Sequence, residues 1–143
     1  MKVKAIMIIE WFLRISLSAG FLSAVADRFG LWNKELSAWG NWNSFIAYTS
    51  QLLPFLPSSL TSIAGMISTG LEFIFGIALL TNFKTSFFAK CSGLLLLLFA
   101  LAMTFSKSIK VPLDSSVFTS SAAAFALSAL LTGQPNTEKK SSR

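Results

Sequence analysis

Three charged residues stand inside long apolar runs. Glu10 and Arg14 lie in "IMIIEWFLRISLSAGFLSAVADRFGLW", residues 6–32, and Glu72 lies in "LTSIAGMISTGLEFIFGIALLT", residues 60–81. A charge at the centre of a membrane helix costs about 2.5–3.5 kcal/mol on insertion scales, so such residues turn inward and find partners. They also mark proton, ion or substrate sites by default. Glu10 and Arg14 are four residues apart, on one helical face where they can pair. At about 100° per residue, Leu17, Phe21 and Arg28 fall near the same face. No basic residue lies near Glu72 on its own span. Gly65, Ser68, Thr69 and Gly76 share its face, and small residues at that spacing let a second helix approach closely. Arg14 is therefore the expected partner of Glu72. A Glu10–Arg14–Glu72 cluster carries one excess negative charge, which a proton or Lys90 would balance. A buried carboxyl next to a guanidinium suits proton handling and stabilisation of a developing anion. Arg14 and Glu72 are thus the catalytic candidates, and Glu10 joins them as a candidate binding residue.

Each of these residues also has a structural reading. A buried ion pair can simply fix which helices meet and in what register. Asp27 and Arg28, at the outer end of the first span, read as a cap and an anchor. Lys90 is expected to snorkel to the headgroups. Cys91, next to Lys90, has a cation that could activate its thiol, but a lone Cys is usually a small apolar filler. Trp32, Trp39, Trp42 and Tyr48 read as interfacial anchors. The Trp cluster could also stack on a planar ligand such as a quinone ring.

The elements that position these residues follow from composition. The 143 residues suffice for one domain, and 53% are hydrophobic while only 13% are charged. Soluble domains carry about 25% charged residues. Mean hydropathy is +0.64, which points to an integral membrane protein. The net charge of +6 comes from basic residues scattered over ends and loops. Without a basic stripe, nucleic-acid binding is excluded. One cysteine and no histidine leave no Cys/His zinc site, no metal centre of that kind, no His-ligated haem and no thiol pair within the chain. The sequence contains no phosphate-binding glycine loop, zinc-protease motif or nucleophile elbow.

Four apolar spans, at about 5–26, 60–81, 86–106 and 113–132, approach the roughly 20 residues that cross a bilayer. The expected fold is all-α, an integral membrane four-helix bundle of four transmembrane helices with a long first extracytoplasmic loop. A single domain would occupy 1–134, followed by a polar, disordered tail at 135–143. The 27–59 loop contains Pro54 and Pro57, which oppose a continuous helix. The turns "NFKT" and "KSIKVP" are short, so neighbouring helices run antiparallel. Lys2, Lys4, Lys84, Lys139, Lys140 and Arg143 lie on one side, with Lys90 near them. Arg28, Lys34, Lys107 and Lys110 lie on the other. This bias puts both termini in the cytoplasm. Ala24-Val25-Ala26 fits a signal-peptidase site, but Glu10 and Arg14 interrupt the apolar stretch before it, so the first span reads as an uncleaved helix.

The chain resembles the DoxX and DoxX-like family of small bacterial membrane proteins over nearly its whole length. The likeness is carried by "RISLSAGFLSAVADRFGLW", "WGNWNSFIAYTSQLLPFLP", "GLEFIFGIALLTNFKTSFFAKCSGLLLLLFALAM" and "VPLDSSVFTSSAAA". These are loose patterns rather than catalytic signatures. The resemblance implies a four-helix bundle in the bacterial cytoplasmic (inner) membrane. Some relatives are small membrane subunits of thiosulfate:quinone oxidoreductase, and others are linked to redox homeostasis. Arg14 and Glu72 match the family's charged helix positions, while Lys84 replaces an arginine common after the second helix. Disulfide chemistry, seen with one relative, would need more cysteines than Cys91.

Three functions compete on this evidence. The first is a redox-associated membrane subunit with a quinone headgroup near Arg14 and Glu72, working with a redox partner subunit. The second is a scaffold or assembly factor without chemistry, and the third a homo-oligomer that conducts protons or small solutes.

Overall fold

The computed structural model describes residues 1–133, and these are all-helical apart from turns and loops. Helix α1 spans Lys2–Arg28, α2 Trp42–Leu52, α3 Ser58–Leu80, α4 Thr85–Ser106, α5 Lys110–Asp114 and α6 Val117–Gly133. The expected tail at 135–143 lies outside the described residues. Helices α1, α3 and α4 are long and apolar enough to cross a membrane. At 27 residues, α1 is about 40 Å long at helical rise, which exceeds the hydrocarbon core of about 30 Å.

The fourth span differs from the expected 113–132. It is an apolar helix of 17 residues, preceded by a separate helical turn, α5. Ser116 separates the two with a φ of 56°. A left-handed residue other than glycine cannot continue a right-handed helix. Pro112 is buried in the first turn of α5, where its missing N–H costs little. The first loop also differs, because it contains α2. Asn41 starts that helix by accepting a hydrogen bond from the Ser44 N–H at 2.9 Å. Pro54 lies in the break before α3, and Pro57 is the residue that begins it.

Helices α1 and α4 each pack on both α3 and α6, which closes a ring, while α2 lies on α3 and reaches α1 and α4. Hydrogen bonds give the directions. Arg14, Ser18 and Arg28 reach Thr81, Gly76 and Thr69 in turn, so α3 runs antiparallel to α1. The Ser121 hydroxyl donates to the Gly93 carbonyl at 2.7 Å, and Ser128 donates to the Ser86 carbonyl at 2.9 Å. Helices α4 and α6 are therefore also antiparallel. The Ser/Ala-rich sequence of α6 thus serves as its packing face.

Leu17, Phe21, Phe75, Leu79, Ala89, Leu95, Ala124 and Leu127 form one core. Bulky apolar residues also cover the outside, among them Phe12, Ile67, Phe73, Ile74, Leu98 and Phe105. Water would penalise such a surface at about 25 cal/mol per Å², whereas lipid would not. Several charged and hydroxyl side chains on these helices turn the other way. Arg14, Ser18, Arg28, Thr69, Glu72, Ser92 and Ser121 are all buried. This polarity is compatible with a membrane protein.

Candidate functional site

The last turn of α1 and the middle of α3 meet in a buried ion pair. Arg28 Nη2 lies 2.9 Å from Glu72 Oε1 and 2.8 Å from Oε2. The two residues are 4% and 1% exposed, too little for solvent to screen them. Arg28 Nη1 donates to Thr69 Oγ1 at 2.6 Å, and that hydroxyl donates to the Gly65 carbonyl at 2.8 Å. The guanidinium also lies over two rings, 3.9 Å from the Phe45 centroid and 5.3 Å from Trp39. Contact with the ring faces offsets part of the cost of burying the cation.

The neighbouring carboxylate builds the loop around this cation. Asp27 accepts hydrogen bonds from the Ser37 hydroxyl and from the N–H groups of Ala38 and Trp39, the latter two at 2.9 and 3.0 Å. The loop is thereby held so that Trp39 reaches Arg28. Phe45, on the capped helix α2, completes the cover. Asp27→Ala removes a charged acceptor, and a hydrogen bond to such a group contributes about 1.5–3 kcal/mol. In protein whose other three tryptophans are replaced by Phe, this substitution is expected to shift Trp39 emission to the red. Unchanged emission would contradict the clamp.

A cleft of about 660 Å³ opens beside the ion pair, within the roughly 300–1,000 Å³ typical of ligand pockets. Arg28 and Glu72 line it together with Phe21, Tyr48, Leu53 and Phe99. Its walls are drawn from α1, α2, α3 and α4. Phe55, Leu98 and Phe105 also line it and are largely exposed, so its mouth lies on the apolar outer surface of the helices. Burial pushes the Tyr48 phenol above its usual pKa. It therefore stays a neutral hydroxyl at physiological pH.

The sequence paired Arg14 with Glu72, and the structure corrects this. Arg14 Nη2 lies 2.7 Å from Glu10 Oε1. Its Nη1 donates to the Thr81 carbonyl and to Asn82 Oδ1, both at 3.1 Å. The Glu10–Arg14 pair is thus present but joins the end of α3. Fourteen positions separate Arg14 from Arg28, about 21 Å along a helix. The expected triple cluster is instead two separate ion pairs, one towards the middle of α1 at Glu10 and Arg14 and one at its C-terminal end at Arg28. Arg28, read as an anchor, turns inward because α2 and the 29–41 loop fold over it. Asp27 does act as an anchor, but for the loop. Lys90 is exposed and takes no part. Cys91 is half-buried against the core, in keeping with a filler role. Trp39 lines the cleft, whereas Trp42 stacks on Phe29 at 5.8 Å.

No family model, no curated protein and no solved structure matches this chain. The likeness to DoxX proteins therefore rests on the quoted residues, and the candidate site on its geometry. Sequence reasoning overlooked Arg28, Phe45 and Tyr48 as site residues. A signal existed for each. Arg28 shares the inward face of Arg14 and Phe21, while Phe45, Tyr48, Thr49 and Leu52 follow a helical spacing after the capping Asn41.

Proposed function

We propose that this chain is a membrane-embedded four-helix protein that binds a quinone-type ring lipid in the cleft between α1, α2, α3 and α4. The observation that carries this reading is the buried Arg28–Glu72 pair on the wall of an otherwise apolar cleft. Intramembrane ionisable residues are functional by default, and a lipid ligand can enter through an apolar mouth. In this reading Glu72 handles the proton and Arg28, in the place first given to Arg14, stabilises the anion of a reduced ring. Helix α6 is the fourth membrane helix, its short length met by local thinning of the bilayer. Lys2, Lys4, Lys84 and Lys90 place the N-terminal end of α1 at the cytoplasm, and the cleft towards the other face. The chain would be a small subunit of a redox system in a bacterial cytoplasmic membrane. Electron transfer would then fall to a partner subunit. This agrees with the DoxX-like residues.

The test is mass spectrometry of lipids retained after mild detergent purification. Wild type is compared with Arg28→Met/Glu72→Leu and with Arg14→Gln, at equal yield of monodisperse protein. Quinone should be enriched in wild type and in Arg14→Gln, and lost from the double variant. A second reading, a scaffold without chemistry, is favoured by the same pair because it ties α1 to α3. No quinone in wild type, with cellular function intact in the double variant, would establish the scaffold and overturn the binding site.

A further inference from the structure

Helix α2 is fixed firmly in its first half and lightly in its second. Asn41 caps its start, and the buried Phe45 ring lies against the Arg28 guanidinium. Ile46 packs so closely on α3 that a Cβ added at Gly65 would lie 2.5 Å from Ile46 Cδ1. The second half faces α4 across the cleft. Tyr48 and Leu52 line the cleft from α2, and Leu98, Met103 and Phe105 line it from α4. Among the described residues, one hydrogen bond joins the two sides of this seam. Lys107, the residue that ends α4, donates through Nζ to Gln51 Oε1 at 2.8 Å. The same ammonium lies 5.1 Å from the centroid of the Tyr48 ring. Gln51 and Lys107 are both exposed. Helix α2 stops at Leu52, and Pro54 follows in the exposed stretch that carries Phe55 to the mouth.

We infer that the second half of α2 is a lid over the cleft and that Lys107 is its latch. The inference rests on the ring-lipid reading above for what passes the lid, while the lid itself can be tested without a ligand. The cleft opens towards lipid beside Phe55, Leu98 and Phe105, so a ring lipid enters along the seam between α2 and α4. Opening the seam breaks one hydrogen bond and one cation–ring contact, both at the surface where such contacts are weak. Moving the first half of α2 would instead uncover the buried Arg28, which is far more costly. The motion is therefore confined to the end of the helix that Lys107 holds. Lys107 itself stands outside the cleft lining. It holds the lid closed equally over an empty and an occupied cleft. Removing it speeds entry and exit by the same factor and leaves affinity unchanged, as gating by a lid requires.

The test uses the full-length protein in nanodiscs, with Cys91→Ala as background. The rate at which N-ethylmaleimide labels Leu52→Cys, on the lid, is compared with that for Ile46→Cys, on the fixed half. Lys107→Met is expected to speed labelling at Leu52→Cys about three- to tenfold, the loss of two weak surface contacts. Labelling at Ile46→Cys should stay at its original rate. Gln51→Leu should act in the same direction, and adding it to Lys107→Met should bring no further gain, because the two share one contact. Association and dissociation of radiolabelled decyl-quinone should both quicken in Lys107→Met, with Kd unchanged. Unchanged labelling of Leu52→Cys would overturn the latch. An equal rise at both positions would overturn a lid confined to the second half of α2. A changed Kd without faster dissociation would show Lys107 acting on the occupant and overturn its role as a latch. Faster labelling at Leu52→Cys alone, with no specific decyl-quinone binding to wild type, would overturn the ring-lipid reading and leave the lid standing.

Discussion

Arg28→Met alone is expected to lower stability by about 3–5 kcal/mol, the usual result of removing one partner of a buried pair. The Glu72 carboxylate is 1% exposed and its one ion-pair partner among the described residues is Arg28. Without that cation, the carboxylate remains in an apolar interior with its charge uncompensated. Thr69 would also lose the N–H that Arg28 donates to it. The double variant Arg28→Met/Glu72→Leu removes both charges and keeps similar volumes. Buried pairs replaced in this way are often neutral or gain stability, so most of the loss should be recovered. Thermal unfolding in one detergent, followed by size-exclusion, measures the three proteins together. Additive losses in the double variant would contradict a direct Arg28–Glu72 pair.

The second large effect belongs to Gly76. Even a Cβ there would come within 3.0 Å of Leu22 and 3.4 Å of the Phe21 Cβ. Leu22 has a flexible tip and can shift, so Gly76→Ala should be mild. Gly76→Leu adds three further carbons where α1 already lies, and it threatens the Ser18 hydrogen bond to the Gly76 carbonyl. Overpacking of this kind costs about 1–3 kcal/mol, occasionally more, and here it forces two helices apart. Gly20 and Gly70 provide the contrast, since a Cβ at either meets nothing within 4 Å. Leu at those positions should be tolerated, helped by about 1 kcal/mol of helix propensity. The yield of monodisperse protein and its melting temperature measure the difference. Equal tolerance at Gly76 and Gly70 would contradict the close α1–α3 approach.

The inward faces were legible because charge and size mark them locally. Arg14, Leu17, Phe21 and Arg28 are buried on α1, and Gly65, Thr69, Glu72 and Gly76 on α3, as helical spacing predicts. The partner of Glu72 was not legible. Which arginine meets it depends on the register between α1 and α3, and local spacing carries no register. Arg28 sits at a helix end, where an arginine normally reaches for headgroups. Only the fold of residues 29–52 over it changes that outcome. Helix α2 was hidden by two prolines and four aromatic residues that read equally well as an interfacial loop. The break before α6 rests on Ser116, a residue type that does not announce a left-handed backbone.

Photoaffinity labelling is the most direct measurement of where a ring lipid sits. An azido-quinone would be photolysed with the wild-type protein in nanodiscs, with and without excess unlabelled quinone, and the modified peptides mapped. Protected label is expected on cleft residues such as Trp39, Tyr48 and Met103. Label confined to the Trp11–Arg14 and Thr81–Asn82 end, or label that excess quinone does not protect, would contradict a binding site at Arg28 and Glu72.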